Sequence, residues 1–185
     1  MNKLTTTILI VPVLAIFLSL SFYNFFLRRV TDSKDFRKLI LTIFVVGFII
    51  NFAWELLQVP LYQSMPADHN HVVLCALASV ADAVMVVLLY FIISIVSQLP
   101  FWILDISISM FFLCMSIGFL GAVVSEMWHL KQGNWNYSKY MPIIPILKVG
   151  LSPALQFTIL PLLIYYLSRK LTFGSKIQET KSNKN

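Results

Sequence analysis

The chain has 185 residues, 58% of them hydrophobic and only 12% charged, with a mean hydropathy of +0.81, which excludes an ordinary soluble globular domain. Its formal charge of +6 is confined to a few hydrophilic stretches, so it reads as a set of topology signals beside anionic headgroups and not as a nucleic-acid surface. The two cysteines, Cys75 and Cys114, both fall in apolar segments and imply no disulfide framework.

Five apolar segments are long enough to cross a hydrocarbon core, which takes about 20 residues. They run roughly over 4–27, 39–61, 72–98, 103–129 and 143–168. Lys3 before the first run imitates a signal peptide. The run is too long for one, however, lacks a small-residue cleavage site and is followed by Arg28 and Arg29, so it reads as a retained helix. The 28–38 connection carries Arg28, Arg29, Lys34, Arg37 and Lys38, and the tail carries Arg169, Lys170, Lys176, Lys181 and Lys184. The other side has Lys3, Lys131 and Lys139, with Lys148 near the start of the last segment. This asymmetry predicts an all-α polytopic membrane bundle of about five transmembrane helices, N-terminus outside and C-terminus cytoplasmic.

The short Gln98-Leu99-Pro100 turn makes the third and fourth helices antiparallel neighbours. Residues 1–168 read as one transmembrane domain, and the polar, aperiodic tail 169–185 reads as disordered. No internal repeat is visible, so an inverted-repeat transporter has no direct support.

Three carboxylic acids sit inside these spans: Glu55, Asp82 and Glu126. An ionised carboxylate there costs about 2.5–3.5 kcal/mol on the mildest insertion scale, so such residues face a protein interior or a wet cavity. Helical spacing extends each acid into a stripe. Asn51, Glu55, Gln58 and Tyr62 recur at i, i+4, i+7 and i+11 on the second segment, and Cys75, Ser79 and Asp82 repeat the pattern on the third. The fourth ends with Ser125, Glu126 and His129, and the fifth carries Lys148, Ser152 and Gln156 at i+4 steps. The first carries no stripe.

With a rise of about 1.5 Å per residue, Glu55 falls in the outer part of its helix and Asp82 near mid-membrane. Glu126, His129 and Lys148 fall near the outer interface. Loops on that side bring Asp68, His69 and His71, then Trp135, Tyr137 and Tyr140. The expectation is a polar pocket open to the outer face and roofed by an aromatic loop.

The chemistry on offer is acid–base. A protonated Glu or Asp in an apolar cavity is a competent general acid toward an alkene, epoxide or carbonyl. Lys148 or His129 would instead hold one carboxylate ionised, and the plainer alternative is that all these groups pair as interhelical glue. Glu55, Asp82 and Glu126 are the candidate catalytic residues. Asn51, Gln58, Tyr62, Ser79, His129, Lys148, Gln156, Trp135 and Tyr137 are the candidate substrate contacts.

Asp68, His69 and His71 with His129 offer metal-ligating side chains, but Asp-His-Asn-His is no recognised zinc spacing, so no metal or cofactor is expected. Gly118, Gly121, Ala122 and Ser125 form a small-residue face suited to helix packing. Pro153 and Pro161 inside the last span free backbone carbonyls. Trp54, Trp102, Trp128 and Trp135 read mostly as interface anchors.

The run from Asn51 through Trp54-Glu55-Leu-Leu-Gln58-Val-Pro60-Leu-Tyr62 resembles uncharacterised small bacterial multi-pass membrane proteins with a Trp-Glu-x-x-Gln-x-Pro-Leu-Tyr signature. Ala81-Asp82-Ala83, Glu126 with Trp135-Asn-Tyr137 and Met141-Pro142, and Gly150-Leu-Ser-Pro153-Ala-Leu-Gln156 extend the resemblance over helices two to five. It implies an integral protein of the bacterial cytoplasmic membrane. A looser, architectural similarity links the chain to membrane-embedded terpene and carotenoid cyclases and hydratases, which also use intramembrane carboxylates as acids. Three functions follow in order of preference: an intramembrane enzyme on an isoprenoid or lipid-like substrate, a non-catalytic assembly partner, and a proton-coupled carrier. Membrane lipids and an apolar small molecule are the expected partners, with no nucleic acid.

Overall fold

The computed structural model describes residues 6–63 and 69–182. A 3-10 turn, Thr6–Leu9, leads into α1 (Ile10–Leu27), which is followed by α2 (Ser33–Gln58), α3 (His69–Ser97), α4 (Ile108–Lys131) and α5 (Leu151–Ser182). All five helices are long and apolar enough to cross a membrane. A two-stranded antiparallel hairpin, β1 (Ile143–Ile144) with β2 (Val149–Gly150), precedes α5 and pairs Ile143 with Gly150 and Ile144 with Val149.

Helix ends depart from the hydropathy boundaries for identifiable reasons. α2 begins at Ser33 and not near 39, because Asp32 caps it by accepting a hydrogen bond from the Asp35 N–H (3.0 Å) while Phe36 is fully buried in that first polar turn. Between α3 and α4 the chain makes a longer connection over 98–107, with a 3-10 turn at Trp102–Leu104. Trp102 is buried there and donates from Nε1 to the Tyr90 carbonyl (3.2 Å), while the Tyr90 hydroxyl donates to the Pro100 carbonyl. This inserted segment separates the two helices, so α4 packs chiefly on α5 and only lightly on α3, against the expectation of close neighbours.

The last span also differs at both ends. Residues 143–150, expected as its first turns, form the hairpin instead, because Pro145 biases Ile144 toward extended backbone and Pro142 does the same for Met141. At the other end α5 continues to Ser182, where a disordered tail from 169 was expected. Thr172 and Phe173 are buried, Phe173 meets Phe101 edge-on at 6.1 Å, and Lys38 reaches the Thr172 carbonyl at 3.4 Å. Those contacts hold the helix past residue 168 as far as Phe173.

The centre of the bundle is α2 against α3 and α5, with α1 docked on α3 and α4 on α5. Its basic end, where the 28–38 connection lies, is filled by aromatic rings. Phe26 stacks on Phe91 at 5.9 Å, and Phe36 meets Phe101 edge-on at 5.8 Å. Tyr165 donates to the Val86 carbonyl (2.8 Å). The opposite end, where α2 and α4 finish and α3 and α5 begin, is where polar side chains meet. Two close approaches set the helix spacing: Gly47 lies against Ala83, and Gly118 lies against the carbonyl of Phe157.

Candidate functional site

Gln156 is the hub of the polar end. Its Nε2 donates to Asp82 Oδ2 (2.9 Å), Asn51 Oδ1 (3.0 Å) and Glu55 Oε1 (3.3 Å), so two hydrogens serve three acceptors and one is shared. Its Oε1 accepts from Gln58 Nε2 at 3.4 Å. Gln58 also donates to Glu55 Oε1 (2.6 Å) and accepts at Oε1 from the Ser152 hydroxyl (2.9 Å). Asn51 turns its amide N–H back to the Gly47 carbonyl one helical turn below (2.8 Å), leaving its oxygen for Gln156. The carboxyls of Glu55 and Asp82 are brought together by the Gln156 amide nitrogen, which donates to both.

The stripe on α2 thus meets Asp82 on α3 and the Ser152 and Gln156 stripe on α5. Asn51 is 1% exposed and Gln156 is 2%, whereas Glu55 and Asp82 are only partly covered. The amides form the frame, and the acids keep an accessible side.

Glu126 sits in a second cluster, built from the segment that follows α4. That helix ends in a Schellman arrangement: Gly133 adopts φ +66° and donates to the Leu130 carbonyl (3.1 Å), and Asn134 donates to the His129 carbonyl (3.0 Å). The reversal brings the Asn134 amide to His129 Nδ1 (2.7 Å) and lays Trp135 on the His129 ring, with centroids 4.3 Å apart. Trp135 Nε1 donates to Glu126 Oε2 (3.3 Å), and the Tyr137 hydroxyl donates to the same oxygen. The Tyr137 hydroxyl in turn accepts from the Gly150 N–H (2.9 Å), tying the cluster to the hairpin. Burial, then the Glu126 carboxyl, pushes the Tyr137 phenol above its ordinary pKa, so it remains a donor; the Gly150 N–H acts in the opposite direction.

Tyr62 links the two clusters. The end of α2 is stitched to the loop by Gln63 N–H to the Asn136 carbonyl (2.9 Å) and Ser138 N–H to the Leu61 carbonyl (2.9 Å). The Tyr62 ring lies 5.7 Å from Tyr137 and 6.3 Å from Trp135. Burial raises its phenol above the ordinary range, and the Glu126 and Glu55 carboxyls add to the effect.

Two expected members stand apart. Lys148 lies in the hairpin at φ +55°, donates its backbone N–H to the Ile144 carbonyl (2.8 Å) and has an exposed side chain, and among the described residues it reaches no acid. The helical phase that aligned it with Ser152 and Gln156 begins only at Leu151. Ser79 is buried, but its hydroxyl donates to the Cys75 carbonyl of its own helix (2.6 Å) and joins neither cluster. Among the described residues, neither Lys148 nor His129 pairs with a carboxylate; His129 has Asn134 and Trp135 as partners. Among the described residues, every donor to the three acids is uncharged.

Of the loop groups weighed as metal ligands, Asp68 and the side chain of His69 lie outside the described residues. His71 is buried with Nε2 3.5 Å from Cys75 Sγ.

Sequence reasoning did not single out Asn134. Its signal was present in Lys131-Gln132-Gly133-Asn134, a helix stop followed by a short polar side chain. Tyr137→Phe checks the second cluster: it strips a donor from Glu126 and an acceptor from the Gly150 N–H, and about 1–2 kcal/mol of stability should be lost. Thermal unfolding in detergent measures this, and an unchanged midpoint would mean the bond is not formed. Against known protein families, curated proteins and solved structures, the chain gives no match.

Proposed function

We propose that this integral multi-pass protein is an intramembrane acid/base enzyme acting on a mostly apolar small molecule of isoprenoid or lipid-like character. The observation that carries the reading is the Glu55–Asp82 carboxyl pair, donated by two helices, partly accessible and oriented from behind by Gln156 and Gln58. Two carboxyls gathered on one amide donor inside a membrane bundle repel each other when both are ionised, which favours a single shared proton on the pair. Such a pair delivers that proton to an alkene, epoxide or carbonyl, and the ionised partner takes one back from the resulting intermediate. Asn51, Gln58 and Gln156 hold the pair in place. Tyr62, Trp135 and Tyr137 line the roof, where Glu126 is a second acid with its own donors.

The topology that goes with this reading puts the N-terminus outside and the C-terminus in the cytoplasm of a bacterial cytoplasmic membrane, with the acid pair in the outer half. The architectural similarity to membrane cyclases and hydratases points the same way. A proton-coupled carrier would need polar groups through the other half as well. There the core is dominated by Phe36, Phe91, Trp102, Tyr90 and Tyr165, with both tyrosine hydroxyls engaged by backbone carbonyls, and the buried polar side chains are the hydroxyls of Ser94, Ser168 and Thr172, none of them an acid.

The test compares untargeted lipid and isoprenoid profiles from cells producing the native chain, Glu55→Gln, Asp82→Asn, or none. A species should change with the native chain alone, and turnover in either variant should fall by about 10²–10⁴. Identical profiles from well-expressed native protein and empty cells would sink the enzymatic reading and favour an assembly partner.

A further inference from the structure

At the end of the bundle away from the acids, α1 and α3 leave a groove of about 600 Å³ between them. Phe22, Phe25 and Phe26 of α1 and Ile95 of α3 form its walls. The serine hydroxyls that line it, Ser21 and Ser94, donate to carbonyls of their own helices at 2.8 and 2.9 Å, so they add little polarity. The volume lies within the usual range for a ligand-sized cleft, roughly 300–1,000 Å³.

One cation stands at the rim. The Arg29 guanidinium lies 3.8 Å from the centroid of the Phe25 ring, and its side chain is exposed. Among the described residues no acidic side chain pairs with it. Held over the Phe25 ring and exposed on its other side, the guanidinium can offer N–H groups to a bidentate oxyanion. Arg28, Lys34, Arg37 and Lys38 belong to the same end of the bundle and outnumber Asp32 and Asp35 there, so the local potential is positive.

An apolar cleft beside a membrane-crossing helix, with an unpaired arginine where that helix ends, matches an amphiphile better than a soluble anion. We propose that the α1–α3 groove binds an anionic phospholipid, with an acyl chain against Phe22, Phe26 and Ile95 and the headgroup phosphate on Arg29. The site is separate from the carboxyl pair and stands whether or not the chain is an enzyme.

Native mass spectrometry of the full-length chain tests it, with detergent-solubilised protein titrated with phosphatidylglycerol or with phosphatidylethanolamine of the same acyl chains. The native chain should take up its first phosphatidylglycerol about fivefold more tightly, the increment of one basic residue at a membrane surface. Arg29→Gln changes an exposed side chain; it should lower phosphatidylglycerol binding to the phosphatidylethanolamine level and leave the latter unchanged. Lys131→Gln, at the opposite end, should keep the preference. Millimolar inorganic phosphate should not displace the lipid. Equal binding of the two lipids by the native chain, a preference that survives Arg29→Gln, or displacement by phosphate would each overturn the proposal.

Discussion

Replacing Gln156 with leucine should lower the stability of the bundle by about 3 kcal/mol, the largest single effect expected from the polar end. Three interhelical hydrogen bonds leave with the amide nitrogen, to Asn51, Glu55 and Asp82. At about 0.6 kcal/mol each, the average for such bonds in membrane bundles, they set a floor near 2 kcal/mol. The remainder comes from the buried Asn51 oxygen, which is left without a donor, and from the loss of the Asp82 carboxyl's amide partner; Glu55 keeps its bond from Gln58. Unfolding titrated in mixed micelles measures the loss. Combining Gln156→Leu with Asp82→Asn supplies a new amide donor beside Glu55, so the double variant should be less damaged than the sum of the singles. A loss below about 1 kcal/mol for Gln156→Leu would mean that the network does not join α2, α3 and α5.

Gly118→Ala is the second large effect, expected at about 2–3 kcal/mol from overpacking. A methyl group at Gly118 would fall on the Phe157 carbonyl, a backbone group with little room to yield. The cause lies one turn further along α5. Pro161 has no N–H to offer the carbonyl four residues earlier, which is that of Phe157, so this oxygen is free to turn toward α4. Only a glycine leaves room for it, since a Cβ at this position would overlap the oxygen. Pro161→Ala restores the N–H and should draw the carbonyl back into α5. Gly118→Ala in that background should therefore cost clearly less than in the native chain. Equal costs in both backgrounds would show that the freed carbonyl is not what makes Gly118 necessary.

Much of the site was legible from spacing alone. Asn51, Glu55 and Gln58 share a helical face because 3.6 residues per turn puts i, i+4 and i+7 together, and the same rule joined Ser152 to Gln156. The rule fails for Lys148, since it assumes that the helix has already begun. Pro145 and the hairpin delay its start to Leu151 and leave the lysine exposed. Ser79 has the right phase, but its hydroxyl is satisfied one turn back on its own helix, a competition that periodicity cannot register. The burial of Thr172 and Phe173 was equally hidden, because they are held by contacts with residues far along the chain, Lys38 and Phe101.

Composition and hydropathy by themselves determined that this is a five-helix membrane chain with acids that must be sheltered, because the solvent enforces both properties locally: each span must be apolar, and an exposed carboxylate in lipid is costly. Only the tertiary structure decided which acids meet. A stripe on one helix carries no information about the rotation or height of its neighbour, and those follow from close approaches such as Gly47 on Ala83 and Gly118 on Phe157. They bring Glu55 and Asp82 to one glutamine from α5, and they leave Glu126 to the loop that covers it.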